Sequence, residues 1–495
     1  MTGLSLERPP SFGPVRIVAV VAGVLLALAA WWQVGAADDG ITQIELERAG
    51  VPITLILPEV DGDADPVPGV VVAHGFSGSR ELMRSFGLAL AGAGYAVAMP
   101  DLAGHGANLA PLDRDDDRAL VRDVEAARAA LLDRAEVDGD LVALLGHSMG
   151  SGAVLRAGLA DPDAVVAVIA VSPTDAEVTP DSPPNLFLLA GAREPRFVAN
   201  AEDLLERAGG PSDDIAAGTA RALEVIPSVE HISILFSGAA HRSAVGWLDA
   251  VTGRSSEVPT VTLMIWWLAH LVAVLVVWRA LLPVLVTTYR YELDRGRPLV
   301  GLAGGGIAAT LVLAVVGSFL DLGAIGGMLV GPALGLWFAV AGAVWLRFGP
   351  DPGRLDGRGI TWAVTAFVVL FLAFGAMAGR VWLPWLPTGR RVLFVPGLAL
   401  LVLPWTLALG ATLQGRRGAR AFGWWVAVSV AVLVALGAAA TVVPGIGFVM
   451  LVLPLLPAVI GLLIVVWSPI QRPWAAGLAG AGFLGWTLAV LFPLT

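Results

Sequence analysis

Cysteine is missing from all 495 residues, and so is lysine. Without thiols the chain has no disulfide framework and no thiolate metal site, although its compartment stays open. Without lysine every fixed cation is an arginine, which reads as the bias of a high-GC bacterial coding sequence. Charge is sparse except in one stretch. Residues 36–258 hold 35 acidic residues and 15 arginines, a net of −20, whereas the rest holds 6 acidic residues and 16 arginines, a net of +10; the two sums give the overall −10. So acidic a middle argues against nucleic acid or anionic headgroups as its main partner, because both are polyanions. No metal cluster, nucleotide loop or haem signature is visible, and no cofactor is expected.

What is abundant is apolar: 56% of the chain is hydrophobic and the mean hydropathy is +0.77, too high for a wholly soluble protein. Residues 14–34 form one bilayer-length run with Trp31 and Trp32 near its edge and Arg8 and Arg16 before it, the pattern of an uncleaved anchor. From about Val261 onward the sequence divides into about eight further spans centred near Ala269, Leu311, Gly335, Val369, Leu401, Ala431, Leu456 and Gly485. With a cytoplasmic N-terminus, the arginines at 290, 295, 297, 347, 354, 358, 416, 417, 420 and 472 fall inside. Arg380, Arg390 and Arg391 fall outside. Nine spans therefore place the acidic stretch on the outer face of a bacterial inner membrane. The expected division is an anchor over 1–35, an extracytoplasmic domain over 36–258 and an all-α polytopic membrane domain over 259–495. His270 lies mid-span, and with no acidic residue at its depth it reads as a neutral imidazole bonded to a neighbouring helix.

Between the membrane regions short apolar runs alternate with helical patterns, as a mostly parallel sheet flanked by helices requires. Eight strands are expected at 41–47, 51–57, 69–73, 96–99, 141–145, 165–171, 186–190 and 222–226, with helices at 80–93, 118–133, 149–160, 197–207 and 244–251. After the fifth run comes Gly146-His147-Ser148-Met149-Gly150, a serine set between glycines where the chain must turn sharply from strand into helix. A serine hydroxyl is a poor nucleophile until a neutral imidazole takes its proton, and the resulting imidazolium needs a carboxylate.

Four features in chain order resemble the α/β-hydrolase family over residues 41–252: His74-Gly75-Phe76-Ser77-Gly78 after the third strand, Asp101-Leu102-Ala103-Gly104-His105-Gly106 after the fourth, the serine turn, and an acid then a histidine after the last strands. The resemblance implies Ser148 as nucleophile and an oxyanion hole from the main-chain N–H groups of Phe76 and Met149. It makes His74, Gly75, Gly146, His147 and Gly150 turn and elbow residues and His105 a turn residue. For the acid it favours Glu194, in Gly191-Ala192-Arg193-Glu194, over Asp175. For the base it favours His231 over His241, leaving His241 as an exposed or capping residue of the terminal helix. The activity implied is that of a serine esterase or lipase acting on a small-molecule or lipid ester at the bilayer. The same residues would serve an acyltransferase or peptidase, and a ligand-binding domain on a transporter or scaffold is the rival of a different class. Quaternary state is open. Only about a dozen residues, 172–184, separate the sixth and seventh strands, too few for a helical lid. The site is then either open to small substrates or covered from elsewhere.

Overall fold

The computed structural model describes residues 13–59, 65–113, 115–285 and 296–495. Its contacts separate two compact units. One, the globular unit, is Trp32–Trp266 joined by Ala378–Pro384 and Pro493–Thr495; the other is the described part of Met1–Trp31, Trp267–Met377 and Trp385–Phe492.

The globular unit is built on an eight-stranded sheet: β1 (Ile41–Arg48), β2 (Val51–Pro58), β3 (Val67–Ala73), β4 (Ala96–Pro100), β5 (Val137–His147), β6 (Ala167–Val171), β7 (Leu186–Gly191) and β8 (Arg221–Ile226). The spatial order is β1-β2-β4-β3-β5-β6-β7-β8. β2 lies antiparallel to β1 and β4, and every later pairing is parallel. Central parallel strands are covered on both faces, which is why β3, β6 and β7 are apolar and buried throughout. β1 has one free edge and alternates, placing Glu45 and Glu47 among its polar positions.

The apolar helix α1 (Pro14–Ala36) opens the described chain, and α2 (Arg84–Gly92), α3 (Arg118–Leu132), α4 (Met149–Ala160), α5 (Pro195–Arg207) and α6 (Gly238–Thr252) join the strands. α3 buries Leu120, Val124, Ala127 and Leu131 at helical spacing, so one face meets the sheet. α6 starts at Gly238, six residues before the expected helix, because the Ser237 hydroxyl caps it by accepting from Ala240 N–H; Gly253 at φ +70 ends it. The β6–β7 connection contains no helix, so no lid is built there. Leu494, at the far end of the sequence, joins this unit through its N–H to Gly104 O and its carbonyl from Leu112 N–H, both at 2.9 Å.

Among the described residues nine helices are long and apolar enough to cross a bilayer, as counted from the sequence, and each expected centre falls inside one of them. This is compatible with a multi-pass membrane protein. Arg8, Arg290 and Arg295, part of the positive-inside pattern, lie outside the described residues. Small residues let these helices approach. A Cβ on Gly485 would meet Ala399 N at 2.5 Å, and one on Gly410 would meet Pro473 O at 2.9 Å. Between Phe371 and Gly375 the helix Gly357–Ala378 widens into a π turn. Carbonyls there accept from the helix Leu263–Leu285: Leu372 O from His270 Nε2 at 2.9 Å and Phe374 O from Trp267 Nε1 at 2.9 Å. His270 is thus bonded to a neighbouring helix.

Candidate active site

The turn after β5 is set by contacts on both sides of Ser148. A Cβ on Gly146 would run into the Gly150 carbonyl, and one on Gly150 would meet His74 O at 2.5 Å and Ala73 O at 2.6 Å. The chain passes too close to itself there for any side chain. Ser148 takes φ +53 and ψ −120, a conformation that L residues rarely adopt, and is held in it by main-chain bonds. Its N–H donates to Val171 O at 2.9 Å, and its carbonyl accepts from Ser151 N–H at 2.9 Å and the Ser151 hydroxyl at 2.5 Å. The hydroxyl of Ser148 thereby stands at the start of α4.

His231 follows β8, and Glu194 ends the turn after β7 as the residue before α5. The His231 Nε2–Ser148 Oγ distance is 3.1 Å, and His231 Nδ1 lies 2.7 Å from Glu194 Oε2. A carboxylate accepts, so Nδ1 carries the proton and Nε2 is left to accept from the serine hydroxyl. The other carboxylate oxygen, Oε1, accepts from the Ser172 hydroxyl at 2.7 Å and from Gly191 N–H at 2.5 Å. Ser148, Glu194 and His231 are each no more than 7% exposed. In a site this dry each bond is stronger than it would be in water.

His147 Nε2 donates to the main-chain carbonyl of His231 at 2.8 Å, tying the histidine loop to the serine turn. Burial first, and the nearby His231 second, hold the His147 imidazole well below its usual pKa, so it stays neutral beside His231. His74 is also buried and pushed down by desolvation. Its Nε2 accepts from Leu102 N–H at 3.0 Å, which leaves Nδ1 to donate to Gly75 O at 2.8 Å.

The backbone of Gly75 passes directly beside the serine: a Cβ there would lie 3.1 Å from Ser148 Cβ and 2.9 Å from His147 Nδ1. Met149 opens α4, where a main-chain N–H has no acceptor within its own helix. Behind this rim Asp101 accepts from Arg80 N–H at 3.0 Å and Ala107 N–H at 2.8 Å, locking the turn that carries His105. The His105 ring packs edge-on to His74 at 5.1 Å and to Phe76 at 5.7 Å, a turn residue in the wall of the site.

The two alternates lie elsewhere. Asp175 pairs with Arg207, its side chain largely exposed. His241 is neither exposed nor a cap, contrary to the sequence reading. It is 1% exposed, with Nε2 donating to Leu235 O at 3.0 Å and its ring 4.6 Å from Phe86, and burial lowers its pKa to about 4. The earlier start of α6 turns it inward. Sequence reasoning missed Ser172 and Phe197. The Phe197 ring stacks on His231 with centroids 4.2 Å apart. Neither residue carries a motif, and only the position of Ser172 just past β6, where an acid was sought, points toward the site.

A mostly parallel eight-stranded sheet with a serine at a strand-to-helix turn after β5, and an acid and a histidine after β7 and β8, defines an α/β-hydrolase. Comparison with known proteins agrees: residues 64–202 match the family model described as serine aminopeptidase, S33, and the globular unit belongs to the α/β-hydrolase family. An uncharacterized protein of Mycobacterium tuberculosis (strain H37Rv) is 28% identical over 179 residues, 33% of this chain and 63% of that protein. A thermostable monoacylglycerol lipase of Bacillus sp. (strain H-257) is 34% identical over 95 residues, 19% of this chain and 36% of the lipase. The chain thus spans less than two thirds of the length of these relatives. Among solved structures, a bacterial heroin esterase is 19% identical and covers 51% of this chain and 95% of its own, with a TM-score of 0.35. A hormone-sensitive lipase from a metagenome library is 16% identical and covers 50% and 99%, with a TM-score of 0.34.

Proposed function

We propose that this protein is a membrane-anchored serine hydrolase that cleaves a carboxylic ester or related acyl bond through an acyl-enzyme on Ser148. The observation that carries the reading is the unbroken run of bonds from Ser148 Oγ through His231 to Glu194, at 3.1 and 2.7 Å. As Oγ forms its bond to the substrate carbonyl carbon, His231 Nε2 takes the hydroxyl proton and Glu194 balances the imidazolium. The carbonyl oxygen gains negative charge, which the N–H groups of Phe76 and Met149 are suited to receive; such a donor is typically worth about 3 kcal/mol. His231 then passes the proton to the departing alcohol oxygen. Water, deprotonated by the same imidazole, then bonds the acyl carbon; the bond from that carbon to Ser148 Oγ breaks, His231 returns the proton to Oγ, and the acid leaves.

The resemblance to a monoacylglycerol lipase makes glycerol esters the first substrates to try, and the serine aminopeptidase model makes aminoacyl arylamides the second. The arginine distribution supports display of the globular unit on the outer face of a bacterial inner membrane. The test uses the full chain in detergent. A fluorophosphonate probe should label the wild type and not Ser148→Ala, and aryl-ester turnover should fall at least 1,000-fold in the variant, on the order expected when a triad member is lost. Undiminished turnover in Ser148→Ala would refute the reading, and no labelling of the wild type would refute it in favour of a ligand-binding domain.

A further inference from the structure

We propose that Phe197 is a positioning residue for His231, fixing the imidazole by its face and favouring the charged form that the base takes during reaction. The inference rests on the acyl-enzyme reading above. The two rings are 4.2 Å apart with planes 20° from parallel, a true stack, whereas the His147 ring is 4.7 Å from His231 and tilted by 43°. Both ring nitrogens of His231 are already engaged in the plane, by Glu194 and Ser148. Free rotation about the side-chain bonds would break both bonds at once, and a flat neighbour on the ring face opposes it.

The sequence Glu194-Pro195-Arg196-Phe197 explains how the stack is kept in register with the acid. Pro195 starts α5, and the Phe197 N–H donates to the Glu194 carbonyl at 2.9 Å, so carboxylate and aromatic ring come from one helical turn. Phe197 is only half-buried, so core packing does not account for its place. Glu194 is the formally charged group bonded to the imidazole, Ser148 is its other hydrogen-bond partner, and neutral His147 lies against it as a tilted ring. Arg193, Arg196 and Glu230 are exposed, and the Glu230 carboxylate is taken by the N–H groups of Ile232 and Ser233. The face of a benzene ring is electron-rich and attracts a cation lying over it. When Nε2 receives the Ser148 proton, the imidazolium lies over such a face, and it returns to neutral when the proton leaves with the alcohol.

The test compares the full-length wild type, Phe197→Leu and Phe197→Trp on a short aryl ester across pH, together with thermal unfolding and fluorophosphonate labelling. Leucine fills a similar volume without a π face, and tryptophan has the strongest one. The Leu variant is expected to label at Ser148, to keep KM within about twofold and to lose about three- to tenfold in kcat. The acidic limb of its kcat/KM profile should move down by about half a pH unit, since the protonated imidazole loses its support. The Trp variant should recover both. Should Leu fail to fold, Phe197→Met supplies the aliphatic comparison. A limb that stays put in every variant, or Leu and Trp falling together, overturns the role of Phe197 while leaving the hydrolase reading intact. Absence of labelling in the wild type overturns both.

Discussion

Buried groups around the site carry distinct duties, and their protonation is measurable. Asp123 accepts from Ala103 N–H at 2.6 Å below the Asp101 turn, and burial pushes its carboxyl up to about 6. A raised folded-state pKa means that its contribution to stability is fully present below the unfolded value near 4 and is lost as pH rises through about 6. Asp123→Asn keeps an oxygen for Ala103 N–H and removes the charge. Its unfolding midpoint, relative to wild type, should therefore be higher at pH 8 than at pH 4.5; an equal difference at both would contradict the assignment. Ser172→Ala removes one of two donors from Glu194 Oε1 and should lower kcat by about 10- to 150-fold with KM unchanged, the rate equivalent of losing one bond to a charged group. Motifs made the serine and its glycines legible because backbone geometry leaves few residue choices there. Ser172 and Phe197 were not legible, because a hydroxyl or a phenyl ring has many uses and only proximity selects this one.

Elements were recovered from the sequence largely through hydrophobic pattern. β2, β7 and α4 stand close to where alternation and apolar runs place them, since burial on one or both faces constrains every second or fourth residue. Ends were less visible, and α6 shows why: its start depends on the Ser237 cap, a single bond, and the extra turn is what buries His241. The packing of α4 on β3 gives a prediction at this scale. Gly150→Ala forces a methyl onto the carbonyls of Ala73 and His74 and should cost about 1–3 kcal/mol in unfolding and disrupt the serine turn. Chemical denaturation beside ester turnover checks both effects. In the long apolar helices, His270→Ala leaves the Leu372 carbonyl without its bond at the π turn. A loss of about 1–2 kcal/mol in stability in detergent is expected.

For the whole molecule, the absent cysteine is an experimental advantage. A single cysteine placed at exposed Asp213 in the globular unit is the chain's sole thiol. A membrane-impermeant maleimide should label it in intact spheroplasts if the unit is displayed outside, and only after lysis if it is not. Among the described residues the nine helices long and apolar enough to cross a bilayer expose apolar side chains such as Val15, Leu393 and Val434, which is compatible with contact to lipid.

Several properties of this chain were settled by composition and order alone: an acidic α/β unit between apolar helices, a serine in a glycine-flanked turn, and the chain order of serine, acid and histidine. These are local or statistical features, dictated by backbone sterics, by period and by the cost of placing polar groups in hydrocarbon. The family's chain order already favoured Glu194 over Asp175 and His231 over His241; the structure was needed to place those two within bonding distance in line with Ser148, to turn His241 into the core, and to bring Ser172, His147 and Phe197 around one imidazole. Those placements depend on distances between residues tens of positions apart, and such distances exist only once the strands are paired and the loops between them have closed.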